Sequence, residues 1–119
     1  MMDEFDYRTR IVDDRWAFIE VMGEFKLLSP DGISDVYDEV QAAMREKGLT
    51  LVGFDLTHCT TITSSTLAAV VLVVAQLAEG PYCLVISSEF IIRQIQAMNI
   101  ADRVTIYRDM DEAIDALEA

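Results

Sequence analysis

The segment Asp55-Leu56-Thr57-His58-Cys59-Thr60-Thr61-Ile62-Thr63-Ser64-Ser65-Thr66 lies between two apolar runs, 49–56 before it and 67–78 after it. The first run is short, and apolar at most positions, the pattern of a strand covered on both faces. The second is about a dozen residues long and mixes alanines with Leu67, Val70, Val71, Val73 and Val74. Its length and alanines predict a helix over 65–78, although its β-branched residues form isolated helices poorly and need tertiary packing. Residues 57–63 then read as a loop carrying strand into helix. A serine at the first turn of such a helix has its hydroxyl in water and backbone N–H groups beside it. One phosphoryl group there would change the surface, so Ser64 is the candidate switch position.

The same reasoning extends toward both termini. Residues 1–6 are acidic and expected to fray. Residues 7–12 and 16–22 read as a hairpin, with Asp13-Asp14 at the turn. Trp16 is expected on a packed sheet face. A loop over 23–29 follows, then Ser29 as cap and Pro30 at the first helical position. Ile33, Val36, Tyr37, Val40 and Met44 recur at helical spacing, and Gly48 closes that helix. Beyond the second helix, Gly80-Pro81 resets the chain and 82–86 reads as a core strand. Ser88 caps a short helix to about Met98, with Asn99 closing it; 104–107 is a last strand, and Asp109 caps a terminal helix over 110–117. This order predicts an α/β fold: a mixed sheet with an N-terminal hairpin, backed by about four helices.

Composition narrows the function classes. A length of 119 residues suits one domain, able to bury roughly 65% of its unfolded surface. The net charge of −12 and pI near 4.2 argue against nucleic-acid binding, which needs clustered cations. They equally disfavour an anionic membrane surface, while a basic protein patch fits. No basic n-region precedes an apolar stretch at the start, so no signal peptide is expected. The 67–78 run is too short to cross a membrane. Cys59 and Cys83 form no C-x-x-C and read as reduced structural thiols of a cytoplasmic protein. With His58 as the single histidine, no zinc set is expected, nor is there a phosphate-cradling glycine-rich motif. The chain reads as a kinase substrate and not as an enzyme. The enzymatic alternative would use Asp55, His58 and a serine.

Several segments resemble the STAS domains, specifically the bacterial anti-sigma factor antagonists. They are Gly23-Glu24-Phe25-Lys26, Asp55-Leu56-Thr57, Thr63-Ser64-Ser65-Thr66-Leu67, Ile100-Ala101-Asp102 and Asp111-Glu112-Ala113. The resemblance covers residues 7–118, which would make one STAS-like domain preceded by the acidic extension 1–6. It implies a phosphorylation-controlled protein-binding switch in bacterial transcription regulation. Its partner would be an anti-sigma factor and serine kinase with a histidine-kinase-like ATP fold, and a serine phosphatase would reset it. The resemblance places the phosphoacceptor on Ser64 and partner contacts on Lys26, Asp55, Thr63, Ser65, Thr66 and Leu67, with no metal or cofactor. The family has aspartate where Thr63 stands, glycine where Thr66 stands, and aspartate where Lys26 stands. The threonine at 66 would add a branched side chain on the path of a partner. These departures motivate an alternative, a STAS module without phosphorylation in a transporter or scaffold complex. Thr63 and Thr66 are the runner-up phosphoacceptors.

Overall fold

A computed structural model of the chain describes residues 4–26, 31–75, 83–98 and 104–118. The chain order among them is β1 (Glu4–Val12), β2 (Trp16–Lys26), α1 (Asp31–Glu46), β3 (Thr50–Ile62), α2 (Ser64–Ala75), β4 (Cys83–Val85), α3 (Glu89–Ala97), β5 (Thr105–Tyr107) and α4 (Met110–Glu118). The strands form one sheet in the order β1-β2-β3-β4-β5. The β1–β2 pair is antiparallel and the remaining pairs are parallel. The mixed sheet, its hairpin and its four helices are those expected from the sequence pattern.

The hairpin turns at Asp13-Asp14, where both residues have positive φ (55° and 51°) and Arg15 N–H donates to Val12 O. Aspartate tolerates the left-handed region better than most side chains, and two successive positive-φ residues match the twist of a tight hairpin. β1 begins at Glu4, inside the segment expected to fray.

Helix α1 buries Ile33, Tyr37, Val40 and Met44, with Val36 half-buried. It ends as the sequence predicts. Gly48 sits at φ +74°, its N–H reaches Arg45 O, and Leu49 N–H reaches Met44 O. That is the paired closure of a Schellman motif, and its apolar clasp is Met44 against Leu49, both in the core. Ser88 caps α3 by accepting from Ile91 N–H at 3.3 Å, and Asp109 caps α4 by accepting from Glu112 N–H at 2.8 Å. The expected stops and starts at Ser29, Pro30, Gly80, Pro81 and Asn99 lie outside the described residues.

Two loops of the sequence reading are strand. Residues 23–26 extend β2, which buries Phe25 completely. Residues 57–62 extend β3, and they pair with β2 as Met22↔His58, Gly23↔Cys59, Glu24↔Thr61 and Phe25↔Ile62. The hydroxyl-rich composition suggested a loop, but Thr57, Thr60, Thr61 and Ile62 are β-branched and suit a half-buried pleated surface. The register slips at three places along this pair. Such bulges bend and twist the strand and re-aim its end.

Helices α1, α2 and α3 pack on one face of the sheet, over Ala17, Ile19, Val21, Leu51, Phe54 and Leu56. Helix α4 covers part of the other face, where Met110 and Ala113 meet Trp16, Phe18, Val52, Cys83 and Val85. Trp16 is therefore a packed residue of the sheet, with the Arg15 guanidinium 4.5 Å from its ring centre.

Candidate functional site

β3 runs directly into α2. Thr63 is the only residue between them, and it makes the helix start. Its carbonyl accepts from Leu67 N–H at 2.9 Å and its Oγ1 accepts from Thr66 N–H at 3.2 Å. Thr63, not Ser64, is therefore the N-cap, and Ser64 is the first helical residue. An aspartate at this position would cap equally well and would add a charge that threonine does not carry. Thr63 Oγ1 also donates to Thr66 Oγ1 at 2.7 Å and lies 3.4 Å from Ser65 Oγ.

Ser64 and Ser65 are exposed. Ser64 Oγ accepts from Gln94 Nε2, on α3, at 3.3 Å. Local sequence reading could not find Gln94, which stands thirty positions away on another element. The hydroxyl thus has water on one side and, on the others, an amide donor and the amino end of α2. No acidic residue occupies the first turn of α2. A phosphoryl group on this oxygen would sit where helix N–H groups and their dipole favour negative charge.

The other predicted contact residues divide. Lys26 is exposed at the end of β2. Because Phe25 pairs in parallel with Ile62, Lys26 and Thr63 share one rim of the sheet. Thr63 is exposed as well. Asp55, Thr66 and Leu67 are not surface residues, being 0%, 1% and 0% exposed. Leu67 points into the three-helix core, so its place there corrects its assignment as a contact residue. Thr66 turns inward onto Thr63, so its branched side chain does not stand in the path of a partner. Asp55 organises the strand from within. Its Oδ1 accepts from Thr57 N–H at 2.9 Å and Thr57 Oγ1 at 2.7 Å, and its Oδ2 lies 3.8 Å from Arg10 Nη1. Buried Asp55 and exposed His58 do not make one accessible centre, so the arrangement for an enzyme using both is not formed.

Beside the rim, a cavity of about 210 Å³ opens between the end of β3 and the start of α3. Thr60, Thr61, Ile62, Ser88, Phe90 and Ile91 line it, and Phe90 is 71% exposed. Sequence reading gave no role to Phe90; an aromatic one step off the buried stripe Ile91, Ile92, Ile95 is the signal that could have found it. Cys59, near this cavity, is buried, and burial pushes its thiol up from the ordinary value. Among the described residues no cluster of three or more histidine, cysteine or carboxylate groups is placed to hold a metal ion.

No family model and no curated protein matches this chain. Solved structures do. An anti-sigma factor antagonist from Mycobacterium paratuberculosis superposes with a TM-score of 0.73 at 18% identity, over 98% of this chain and 97% of that one. A putative anti-sigma factor antagonist from Thermotoga maritima gives 0.72 at 21% identity, over 95% of each chain. The fold is that of the STAS-type anti-sigma factor antagonists. The antagonist SpoIIAA in its unphosphorylated form superposes with a TM-score of 0.61 at 15% identity, over 96% of this chain and 99% of that one. The STAS-type fold therefore spans almost the whole chain, from the hairpin to α4. No helix among the described residues is long and apolar enough to cross a membrane.

Proposed function

We propose that this protein is an anti-sigma factor antagonist that works as a partner switch controlled at Ser64. The observation that carries the reading is an exposed serine at the first turn of α2, in a chain with the antagonist fold. The unmodified rim of Lys26, Thr63, Ser64 and Ser65, with the cavity beside it, binds an anti-sigma factor that is also an ATP-dependent serine kinase. Binding occupies that partner and frees a sigma factor. Phosphorylation of Ser64 then adds a charge of about −1.5 to −2 to a surface that carried a neutral hydroxyl. The partner's complementary surface loses its fit and the complex dissociates. A serine phosphatase removes the group and restores binding. The protein contributes a surface and an acceptor hydroxyl. The phosphoryl chemistry belongs to its partners, in the cytoplasm, without a metal or cofactor of its own.

Thr63 as cap and Thr66 as an inward-facing residue support this reading, because both departures from the family pattern leave the serine turn in place. The test is incubation with ATP and candidate anti-sigma kinases, followed by peptide mass mapping and a binding measurement. The expected result is one phosphate on Ser64 and loss of affinity for the kinase, reproduced by Ser64→Asp. Phosphate found only outside residues 60–66 would remove Ser64 from the mechanism.

A further inference from the structure

Among the described residues the outer edge of the sheet is the nine-residue strand β1, which pairs with β2 on one side only. The opposite edge, β5, is three residues long. Sheets usually guard a long edge with proline, a bulge or charges of one sign, which repel another copy in every register. β1 has no proline, and its pairing is irregular only between Glu4 and Asp6; from Asp6 onward the register is even and the charges change sign, Asp6 being followed by Arg8 and Arg10. Asp6, Arg8 and Arg10 share one face, the face of Glu20. Tyr7, Thr9 and Ile11 occupy the other face, where Tyr7 is 38% and Ile11 45% exposed.

We infer that β1 is a self-complementary docking edge whose partner is β1 of a second copy of this chain, antiparallel, with the two-fold axis at Tyr7. In that register Asp6 faces the second copy's Arg8, and symmetry doubles the pair. Tyr7 meets Tyr7 on the opposite face. An axis at Thr9 would oppose Arg8 to Arg10 twice. An axis at Arg8 would oppose Arg8 to itself, and one at Asp6 would oppose Asp6 to itself. Directly opposed residues of an antiparallel pair share a face, and like charges there are unfavourable. Among these alternatives only the Tyr7 axis leaves no like pair.

The arginines are held ready for this contact. Arg8 Nε donates to the buried Glu20 Oε1 at 2.6 Å, while its side chain remains 64% exposed. Arg10 Nη1 lies 3.5 Å from Glu20 Oε2 and 3.8 Å from Asp55 Oδ2, and its side chain is 43% exposed. Buried carboxylates anchor one side of each guanidinium and leave further N–H donors outward. Pairing through β1 joins two five-stranded sheets into one. β2 lies between this edge and β3, so the Ser64 turn belongs to a different part of the surface, and the inference stands apart from the switch reading.

Single cysteines read the register in the full-length protein. Tyr7→Cys places two Cα atoms directly opposite, within disulfide reach. Thr9→Cys places its two copies about 13 Å apart along the strands, beyond reach. The native Cys59 and Cys83 are buried and do not compete. The expected result under mild oxidation is a covalent dimer from the first variant and none from the second. Sedimentation equilibrium at fixed salt should show the wild-type chain in reversible monomer–dimer exchange. Asp6→Lys, at an exposed position that leaves the Arg8–Glu20 contact untouched, should weaken association about tenfold while melting like the wild type. A wild-type chain that stays monomeric at millimolar concentration overturns the inference. So does cross-linking at position 9 as efficient as at position 7, or unchanged association in Asp6→Lys.

Discussion

The two faces of the sheet are closed by different means. One carries three helices, and its core is apolar from Ala17 to Leu56. Among the described residues the other carries only α4, which reaches Trp16, Phe18, Val52, Cys83 and Val85. Further along the same strands, Glu20 and Asp55 stand side by side in the β2–β3 register, both fully buried. Arg8 and Arg10 of the edge strand lie against them. A nine-residue helix spans about 13 Å, less than the strands beneath it. Where it ends, arginine stems and paired charges take over the cover. One face is thus held by packing that tolerates little change. The charged half of the other is held by ion pairs whose cationic partners can turn to water.

The largest expected effect is at Gly53, which lies opposite Phe18 in the sheet. A Cβ there would stand 1.8 Å from the backbone oxygen of Cys83. No side chain can yield, so β3 and β4 must part. Gly53→Ala should cost at least about 3 kcal/mol and leave little folded protein, measured by denaturant melts and soluble yield. Phe54→Ala should cost about 3–5 kcal/mol through the cavity it leaves in the three-helix core.

On the charged half the expected loss is smaller. Glu20→Ala should cost about 1–2 kcal/mol, below the full penalty of a broken buried pair, because Arg8 and Arg10 are 64% and 43% exposed and can rehydrate. A loss as large as that of Phe54→Ala would show that the two faces are held alike. The helix start gives the smallest change in stability. Thr63→Ala should cost about 1 kcal/mol and Thr63→Asp almost nothing, since aspartate caps as well.

A titration sharpens the contrast within the α4 face itself. Burial pushes the Cys83 thiol up to about 12 from its ordinary 9.0. The folded state therefore holds this proton more tightly than the unfolded state. Its contribution is complete below the unfolded value and is lost as pH rises from about 9 through about 12. The expected outcome is a stability curve that falls across this alkaline window and flattens in Cys83→Ala. Native Cys83 should also resist alkylation at a pH where an unfolded control reacts.

Much of the fold was legible because its signals are local. The helical spacing of Ile33, Tyr37, Val40 and Met44, the stop at Gly48, and the caps Ser88 and Asp109 all act within a turn or two of chain. The helix over the valine-rich run was legible from length and alanine content. The end of β3 was misread because hydroxyl-rich composition resembles a loop, whereas pairing with β2 decides that it is strand. Ser64 was legible as a helix-start serine, but the cap belongs to Thr63. The places of Asp55, Thr66 and Leu67 could not be read locally, because sequence does not state which side of a bulged strand or a helix turn faces the interior.

The sequence by itself determined the order of elements, the turn at Asp13-Asp14 and an exposed serine where α2 begins, because propensity, periodicity and capping are properties of short segments. Only the tertiary structure decided that Gln94 meets Ser64 and that Glu20 and Asp55 share Arg10. It also decided that Phe90 stands beside a cavity at the end of β3. Each of these joins residues far apart in the chain, and such contacts exist only once strand register and helix packing have set the distances between them.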